Sequence, residues 1–274
     1  MGSSLTRDRK GVQMIKLIAT DMDGTLLNER GELPTDFEEV YKTLKRQGIH
    51  WVVASGRPYP TLKLQFGKLG EEMLFIAENG ALVMEGNKRL ASHAMEGELA
   101  KELISLGQSI EGVSVVVCTP KVAYIKEPPE EAMREIEKYY KKYEKVEDLL
   151  AVEEPILKVT FCDLKGCEEN SAAFVRSYEG RAQTTVAGEL WLDSMALGVN
   201  KGVALEDIQK GLGITYKETA AFGDYLNDYE LLQKAYYSYA MANAHEDLKK
   251  LARYAAKSNR ENGVMDVVKT WLYD

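Results

Sequence analysis

Short apolar runs alternate with amphipathic stretches in the first and the last part of the chain. The apolar runs predict buried strands at residues 14–20, 49–54, 73–77, 190–193, 219–222 and 237–241. Helical spacing of apolar residues predicts helices at 34–48, 200–210, 226–234 and 245–254. Because strands that alternate with helices are typical of a doubly wound parallel sheet, an α/β fold is predicted here.

Individual residues mark the two ends of the first predicted helix. Pro34 precedes Thr35, and Glu38 follows Thr35 at the spacing of a capping box. Gly48 is a typical residue at which a helix stops. The apolar stripe of this helix consists of Phe37, Val40, Tyr41 and Leu44.

The pattern changes between residues 84 and 186. Strand-like runs at 113–118, 122–126 and 156–162 are interleaved with two charged amphipathic helices near 97–109 and 130–143. Two strands in a row before a helix predict an antiparallel sheet with helices on one face, the α+β pattern.

These patterns predict the division of the chain into domains. The α/β core domain is predicted to comprise 14–83 and 187–274, with 84–186 inserted into it as an α+β cap domain. Residues 1–13 are predicted to be a disordered arm or a non-native remnant.

Composition narrows the class of protein. With 45% hydrophobic and 28% charged residues, the chain has the balance of an ordinary globular protein. Its net charge of −8 argues against a nucleic-acid partner. No stretch reaches the ~20 apolar residues that span a membrane, and residues 1–13 lack an apolar signal core, so a cytoplasmic location is expected. No pattern predicts an oligomeric state.

Two carboxylates follow the first predicted strand directly. Asp21 and Asp23 are two residues apart, and Gly24 after them lets the backbone turn and approach a ligand closely. In open α/β sheets, ligands bind at the carboxyl ends of strands. A divalent cation would relieve the repulsion between the two carboxylates and let a phosphate approach. A calcium loop or a simple turn is the alternative.

Two further segments could bind a phosphate. The run Ser55-Gly56-Arg57 ends the second strand and offers a hydroxyl and backbone amides. Lys201 stands at the start of a predicted helix, where it adds a charge to the positive end of the helix dipole. Taken singly, a plain Ser-Gly turn and a surface lysine are the commoner interpretations.

A fourth segment, 223–228, follows another apolar strand. Asp224, Asn227 and Asp228 place three oxygen-bearing side chains at this strand end, and they could complete a Mg²⁺ site. The alternative is a helix cap rich in Asp and Asn. Four such segments, all at strand ends or helix starts, indicate one site.

The four segments resemble the four motifs of the haloacid dehalogenase superfamily, in its Cof-type sugar-phosphatase branch. Ser55 stands where many members carry threonine, which supplies the same hydroxyl. The strings at 77–81, 241–244 and 262–264 are similar to that branch as well. The resemblance covers nearly everything from Met14 to the C-terminus except the inserted domain, where it rests on position and strand pattern. It implies a mobile α/β cap.

The resemblance implies catalytic roles for two residues. Asp21 attacks phosphorus and becomes an aspartyl-phosphate, and Asp23 protonates the leaving alcohol and then activates water. It also implies phosphate-binding residues, namely Gly24, Ser55, Gly56, Lys201 and Asn227. The implied Mg²⁺ ligands are a carboxylate oxygen of Asp21, the carbonyl of Asp23 and the side chain of Asp224.

Four neighbouring residues have less direct implied roles. Asp228 is expected to orient Lys201 or a metal-bound water. Glu78, Asn79 and Arg57 are expected to contact the substrate or to support the residues that do, and a purely structural role suits each of them at least as well.

The predicted function is hydrolysis of a small phosphorylated metabolite. Hexose and pentose phosphates lead, and FMN, pyridoxal phosphate and erythrose phosphate also suit this branch. Two alternatives stay open. One is a phosphomutase of the same superfamily, and the other is a non-enzymatic phospho-aspartate switch, against which Asp23 argues because a switch needs no acid/base there.

Overall fold

The computed structural model describes residues 15–273, so the prediction for residues 1–13 lies outside the described residues. The strands are β1 (Leu17–Thr20), β2 (His50–Ala54), β3 (Leu74–Ala77), β4 (Leu82–Glu85), β5 (Lys88–Ser92), β6 (Val113–Cys118), β7 (Ala123–Ile125), β8 (Tyr143–Lys145), β9 (Lys158–Asp163), β10 (Ala182–Gly188), β11 (Trp191–Ala196), β12 (Thr219–Gly223), β13 (Tyr237–Met241) and β14 (Tyr254–Ala256). The helices are α1 (Phe37–Arg46), α2 (Tyr59–Phe66), α3 (Gly97–Ser109), α4 (Glu130–Tyr139), α5 (Ser171–Val175), α6 (Lys201–Leu212), α7 (Tyr229–Gln233), α8 (Glu246–Leu251) and α9 (Gly263–Tyr273).

The described residues form two compact units. The first comprises the described parts of Met1–Val53 and Leu205–Asp274, and the second is Ala54–Ala204. The second unit is therefore a single insertion between the two halves of the first. The bounds predicted for the domains, with a cap at 84–186, stay a prediction.

A parallel sheet forms the centre of the first unit. Its strands follow the order β14-β13-β12-β1-β2, and each neighbouring pair is parallel. The predicted α/β class with a parallel sheet is confirmed. In this order β1 lies between β2 and β12, although some 200 residues separate β1 from β12 in the chain, so the loops that follow β1 and β12 are neighbours.

The first helix confirms one prediction and corrects another. Its apolar stripe is buried as predicted. The predicted capping box was wrong, because the N-cap is Asp36 rather than Thr35, and no side chain caps the helix. The dipole of α1 is instead met by acidic residues in its first turn and basic residues in its last.

The second unit contains a six-stranded sheet with the order β10-β11-β9-β6-β7-β8. Its pairs are antiparallel except β7 with β8, which is parallel. The predicted strand at 190–193 is β11 and belongs to this sheet, so its assignment to the parallel sheet was wrong. The predicted domain boundary between residues 186 and 187 falls inside β10, which pairs with β11.

Helices cover both faces of the six-stranded sheet, and the prediction of one covered face was wrong. Residues Val115 and Val117 of β6 pack in a cluster with α3, whereas Val116 and Cys118 pack with α4. Successive side chains of a strand point to opposite faces, so α3 and α4 lie on opposite sides. The almost wholly apolar sequence of β6 matches a strand buried on both faces.

Two predicted helices extended too far. The helix predicted to reach residue 143 ends at Tyr139, and β8 starts at Tyr143. The helix predicted to reach residue 254 ends at Leu251, and β14 starts at Tyr254. Within residues 15–273, no helix combines the length and the apolar character that a membrane span requires.

Candidate active site

The backbone after β1 carries the first two predicted acids of the site. Asp21 donates its backbone N–H to the carbonyl of Phe222 over 3.0 Å, which extends the pairing of β1 with β12 by one residue. The Asp21 side chain is buried, and the chain then makes one irregular turn, Met22–Leu26. Asp23 lies in this turn with its side chain exposed. Two acids two residues apart are thus in different environments, one enclosed and one reachable by solvent.

Gly24 allows this turn to approach the loop after β12. Its φ of +80° is a conformation that other residues rarely adopt, and a Cβ at this position would lie 2.2 Å from Asp224 Oδ2. The Thr25 hydroxyl donates to Asp224 Oδ1 over 2.8 Å, and the side-chain amide of Asn243 donates to the Gly24 carbonyl over 2.8 Å. The turn and the Asp224 carboxylate therefore hold each other in place.

Asp228 shapes the loop that follows β12. One of its oxygens, Oδ2, accepts from the backbone N–H groups of Asp224 at 3.1 Å and Tyr225 at 3.3 Å. The Asp228 side chain is fully buried, and the backbone N–H of His245 donates to the Asp224 carbonyl over 2.8 Å. Backbone contacts at its N–H and at its carbonyl thus fix Asp224. Asn227, in the same loop, is half-buried.

Three carboxylates converge in the first unit. Asp21, Asp224 and Asp228 each offer an oxygen, and these oxygens all lie within 4.8 Å of one another. At that separation two unit charges repel by about 1 kcal/mol in bulk water and by more near a protein surface. Hard carboxylate oxygens at this spacing suit Mg²⁺, which would remove the repulsion.

The sequence predictions for these acids have different outcomes. The structure brings Asp21 and Asp224 together, as the predicted metal site requires. It adds Asp228 as a third carboxylate, which the strand-end pattern had offered as a possible Mg²⁺ ligand but the family resemblance had not placed among the ligands. The carbonyl of Asp23 as a ligand stays a prediction.

In the second unit, Ser55 follows β2 and is 2% exposed. Its backbone N–H donates to the carbonyl of Ile76 over 2.8 Å, and its hydroxyl oxygen accepts from the N–H of Arg57 over 3.1 Å. Its carbonyl accepts from the N–H of Asn79 over 3.0 Å. Because the hydroxyl accepts in this contact, its proton can be donated to an anion.

Lys201 begins α6 and is fully buried. Asn200 caps this helix, since its side-chain oxygen accepts from the N–H of Val203 over 2.9 Å, as the sequence predicted. Gly80, with a φ of +106°, lies so close that a Cβ there would be 2.3 Å from the Asn200 carbonyl. The segment Glu78–Gly80 therefore lies against both the Ser55 loop and the start of α6.

Arg57 and Asn79 have contacts within this unit. The side-chain amide of Asn79 donates to Asp193 Oδ2 over 2.7 Å, and the Arg57 guanidinium lies 5.6 Å from the centre of the Tyr139 ring. The contact made by Asn79 supports its structural interpretation. The prediction that either residue touches the substrate stays a prediction.

Sequence reasoning missed two residues next to the Ser55 loop. Lys158 donates to the Gly56 carbonyl over 2.8 Å, and Asp193 accepts from both Lys158 and Asn79. Their signal was present, because each is a charged residue within an otherwise apolar strand run, where lysine and aspartate are rarely found unless they are paired.

Comparison with known proteins gives consistent findings. Residues 18–268 match the family of haloacid dehalogenase-like hydrolases. The chain is 33% identical to 5-amino-6-(5-phospho-D-ribitylamino)uracil phosphatase YbjI of Escherichia coli (strain K12), over 93% of this chain and 95% of that protein. It is 28% identical to phosphatase YwpJ of Bacillus subtilis (strain 168), over 94% of this chain and 100% of that protein. The crystal structure of SMU.1108c from Streptococcus mutans UA159 superimposes with a TM-score of 0.87 at 33% identity, covering 95% of this chain and 100% of that chain.

Proposed function

Since the chain belongs to the haloacid dehalogenase-like hydrolases and is a phosphatase of that family, we propose that it hydrolyses small phosphorylated metabolites, foremost sugar phosphates, with Mg²⁺ and an aspartyl-phosphate intermediate. The observation that carries this proposal is the convergence of Asp21, Asp224 and Asp228 beside the exposed Asp23. That group contains residues whose chemistry suits nucleophilic attack, proton transfer and the binding of a hard cation.

In the first half of the reaction, a carboxylate oxygen of Asp21 forms a bond to phosphorus while the ester P–O bond breaks. Asp23 donates its proton to the departing alkoxide, and its exposure leaves it accessible to a substrate. In the second half, Asp23 takes a proton from water as that water attacks the phosphorus of the acyl-phosphate. Asp21 is then restored and inorganic phosphate leaves.

The remaining groups hold the phosphoryl oxygens in this proposal. Ser55 supplies a hydroxyl proton, Lys201 a point charge at a helix start, and Asn227 a side-chain amide. A Mg²⁺ ion held by Asp21, Asp224 and the carbonyl of Asp23, with Asp228 as a further candidate ligand, would neutralise charge on the phosphoryl group. Asp228 also keeps the Asp224 loop in shape through the backbone contacts described above.

The first test is hydrolysis of p-nitrophenyl phosphate by the purified protein. We expect release of p-nitrophenol with Mg²⁺, loss of activity with EDTA, and recovery when excess Mg²⁺ is added back. Release that continues undiminished in EDTA would contradict the metal requirement. Free phosphate that accumulates in step with p-nitrophenol would distinguish hydrolysis from phosphomutase activity, in which the phosphoryl group returns to a sugar phosphate.

A panel of phosphate esters tests which class of substrate the protein prefers. Sugar phosphates are proposed first, and one relative is named for the phosphate ester of a ribitylamino-uracil, which also carries its phosphate on a sugar-derived chain. The panel therefore contains hexose and pentose phosphates, FMN, pyridoxal phosphate and that ribitylamino compound. A kcat/KM at least about tenfold above the rest would identify the substrate class.

A further inference from the structure

A buried lysine contacts the predicted phosphate-binding loop from the six-stranded sheet. Lys158 is the first residue of β9 and is 1% exposed. Its ammonium nitrogen lies 2.8 Å from the Gly56 carbonyl, 3.1 Å from Asp193 Oδ2 and 2.7 Å from Glu78 Oε2. The contacts with Gly56 and Asp193 are hydrogen bonds, and the contact with Glu78 is an ion pair.

The lysine stays charged in this setting. Burial alone would lower the pKa of Lys158, but the carboxylates of Asp193 and Glu78 outweigh burial and raise that pKa well above its ordinary value. The ring of Tyr140 adds a further favourable contact, with its centre 5.9 Å from the ammonium. A charge without access to water persists only when such partners replace its hydration, so the geometry of this cluster is closely specified.

Asp193 forms a second link from the sheet to the site. It lies on β11 opposite Thr160 of β9, and the Thr160 hydroxyl donates to its Oδ1. Its other oxygen accepts from the side-chain amide of Asn79 over 2.7 Å as well as from Lys158. Two adjacent strands thus jointly fix the position of this carboxylate, and the carboxylate in turn fixes Asn79.

The segment that the cluster holds has an unfavourable backbone conformation. Glu78 and Asn79 are consecutive non-glycine residues with φ of +51° and +53°, in the left-handed region. Their backbone N–H groups donate to the carbonyls of Arg57 over 3.2 Å and Ser55 over 3.0 Å. A strained segment persists when its surroundings determine it, and here its side chains are tied to Lys158 and Asp193.

We propose that Lys158 and Asp193 are positioning residues for phosphate binding. They fix the backbone of residues 55–57, directly at Gly56 and indirectly through Asn79, and so aim the Ser55 hydroxyl at the phosphoryl oxygens. This inference rests on the proposed function. According to this inference, two residues of the six-stranded sheet affect binding of the phosphoryl group, which every substrate shares. Recognition of the leaving group is not their role.

The principal test compares the wild type with Lys158→Met and Asp193→Asn. For each protein, kcat and KM are measured on p-nitrophenyl phosphate, inorganic phosphate is titrated as an inhibitor, and Tm is recorded. We expect both variants to lose about 10- to 100-fold in kcat/KM and to bind inorganic phosphate at least about tenfold more weakly. Lys158→Arg retains the charge and is expected to recover part of both losses.

The matched control is Val159→Ala. Val159 is fully buried and follows Lys158 on the same strand, but its side chain packs in the cluster on the α3 side of the sheet. We expect this variant to lower Tm while phosphate inhibition and kcat/KM stay within about twofold of the wild type. If Val159→Ala weakens phosphate binding as much as Asp193→Asn does, the cluster is merely structural and the inference is wrong.

Two further outcomes separate this inference from the proposed function. If the wild type hydrolyses the ester and folded Asp193→Asn matches it in kcat/KM and phosphate inhibition, the positioning role is refuted and the phosphatase stands. If the wild type shows no turnover with Mg²⁺, the proposed function fails first. Should Lys158→Met fail to fold, Asp193→Asn decides the question, because asparagine keeps the size and shape of aspartate and removes only its charge.

Discussion

In the first unit, Asp21, Asp224 and Asp228 lie on loops that follow parallel strands, and backbone N–H groups and a threonine hydroxyl hold two of these carboxylates in place. In the second unit, Glu78 and Asp193 lie against the ammonium of Lys158, which has almost no exposed surface. Next to the first group, here called the acidic group, Asp23 is exposed, and within that group Asp224 is half-buried. All three residues of the second group, Glu78, Lys158 and Asp193, are buried, and it is here called the sealed group.

The difference shows that similar carboxylates serve different purposes according to what surrounds them. Asp21 and Asp228 are buried, but Asp224 and the neighbouring Asp23 reach solvent, so the first group can meet a cation and a substrate that arrive from solution. Carboxylates sealed against a lysine cannot exchange partners, so they contribute by fixing the backbone to which they are tied. Substitutions that disturb one group at a time test this difference.

Asp21→Asn should reduce turnover of p-nitrophenyl phosphate by about 10⁴-fold or more, because a neutral amide cannot act as the nucleophile. Removing one of three neighbouring negative charges should leave the Tm unchanged or raise it. The control is Asp36→Asn, a change at the start of α1, where Asp36 forms an ion pair with Lys269. A folded Asp21→Asn protein with wild-type kcat would move the nucleophile to another residue.

Gly24→Ala should lower kcat/KM by about 100-fold, because the new methyl group would displace the Asp224 carboxylate. Gly48→Ala is the matched control, since Gly48 has a similar φ of +75° but no atom within 4 Å of the added Cβ. Backbone strain should cost both variants about 1 kcal/mol of stability. Equal activity of the two variants would show that the approach of Gly24 to Asp224 is unimportant for catalysis.

Mg²⁺ should raise the Tm of the wild type but have little effect on Asp224→Asn. At about 100 times its Kd, a ligand that binds only the folded state stabilises it by about 2.7 kcal/mol. Differential scanning fluorimetry with and without Mg²⁺ measures this shift, and Asp193→Asn, which alters the sealed group, should retain it. Loss of the shift in Asp193→Asn as well would mean that the two groups are not independent.

Glu78→Gln tests the sealed group by its pH dependence. Burial raises the pKa of Glu78; Lys158 opposes this rise and Asp193 adds to it. Because the folded state binds this proton more tightly than the unfolded state, the stability that Glu78 contributes is present at low pH. It is lost as pH rises through the raised pKa.

The free energy of unfolding of the wild type, relative to Glu78→Gln, should therefore decrease as pH rises above the ordinary range of glutamate. The decrease should amount to about 1.4 kcal/mol for each unit by which the pKa is raised. Urea unfolding of both proteins across pH measures it. A difference that increases with pH would mean that Glu78 is stabilised as a carboxylate, chiefly by Lys158.

The sequence predicted the part of the site that is encoded locally. Asp21 and Asp23 share one turn, and the segment 223–228 contains both Asp224 and Asp228, so each half of the acidic group is visible as a short motif at a strand end. Parallel strands bring such ends to one edge, and the convergence of Asp21 with Asp224 followed from that rule. Whether Ser55 and Lys201 serve this acidic group stays a prediction.

Lys158 and Asp193 stand out as charged residues in apolar strands, but their contacts with each other and with Glu78 could not be predicted, because the three residues are far apart in the chain. Glu78, Lys158 and Asp193 are brought together by the pairing of β9 with β11 and by the backbone of residues 78–80, and no short motif encodes either. The assignment of β11 failed for a related reason. A single apolar run fits a parallel or an antiparallel neighbour equally well, and only the observed register distinguishes them.

The central position of β1 constrains how the protein is made. A ribosome delivers Leu17–Thr20 before its partner Thr219–Gly223, which emerges only after the whole of Ala54–Ala204. The inserted unit can therefore fold while the first strand still lacks one neighbour. A nascent chain that stops before residue 219 would carry Asp21 without Asp224, so the acidic group can form only after the inserted unit and β12 have been synthesised.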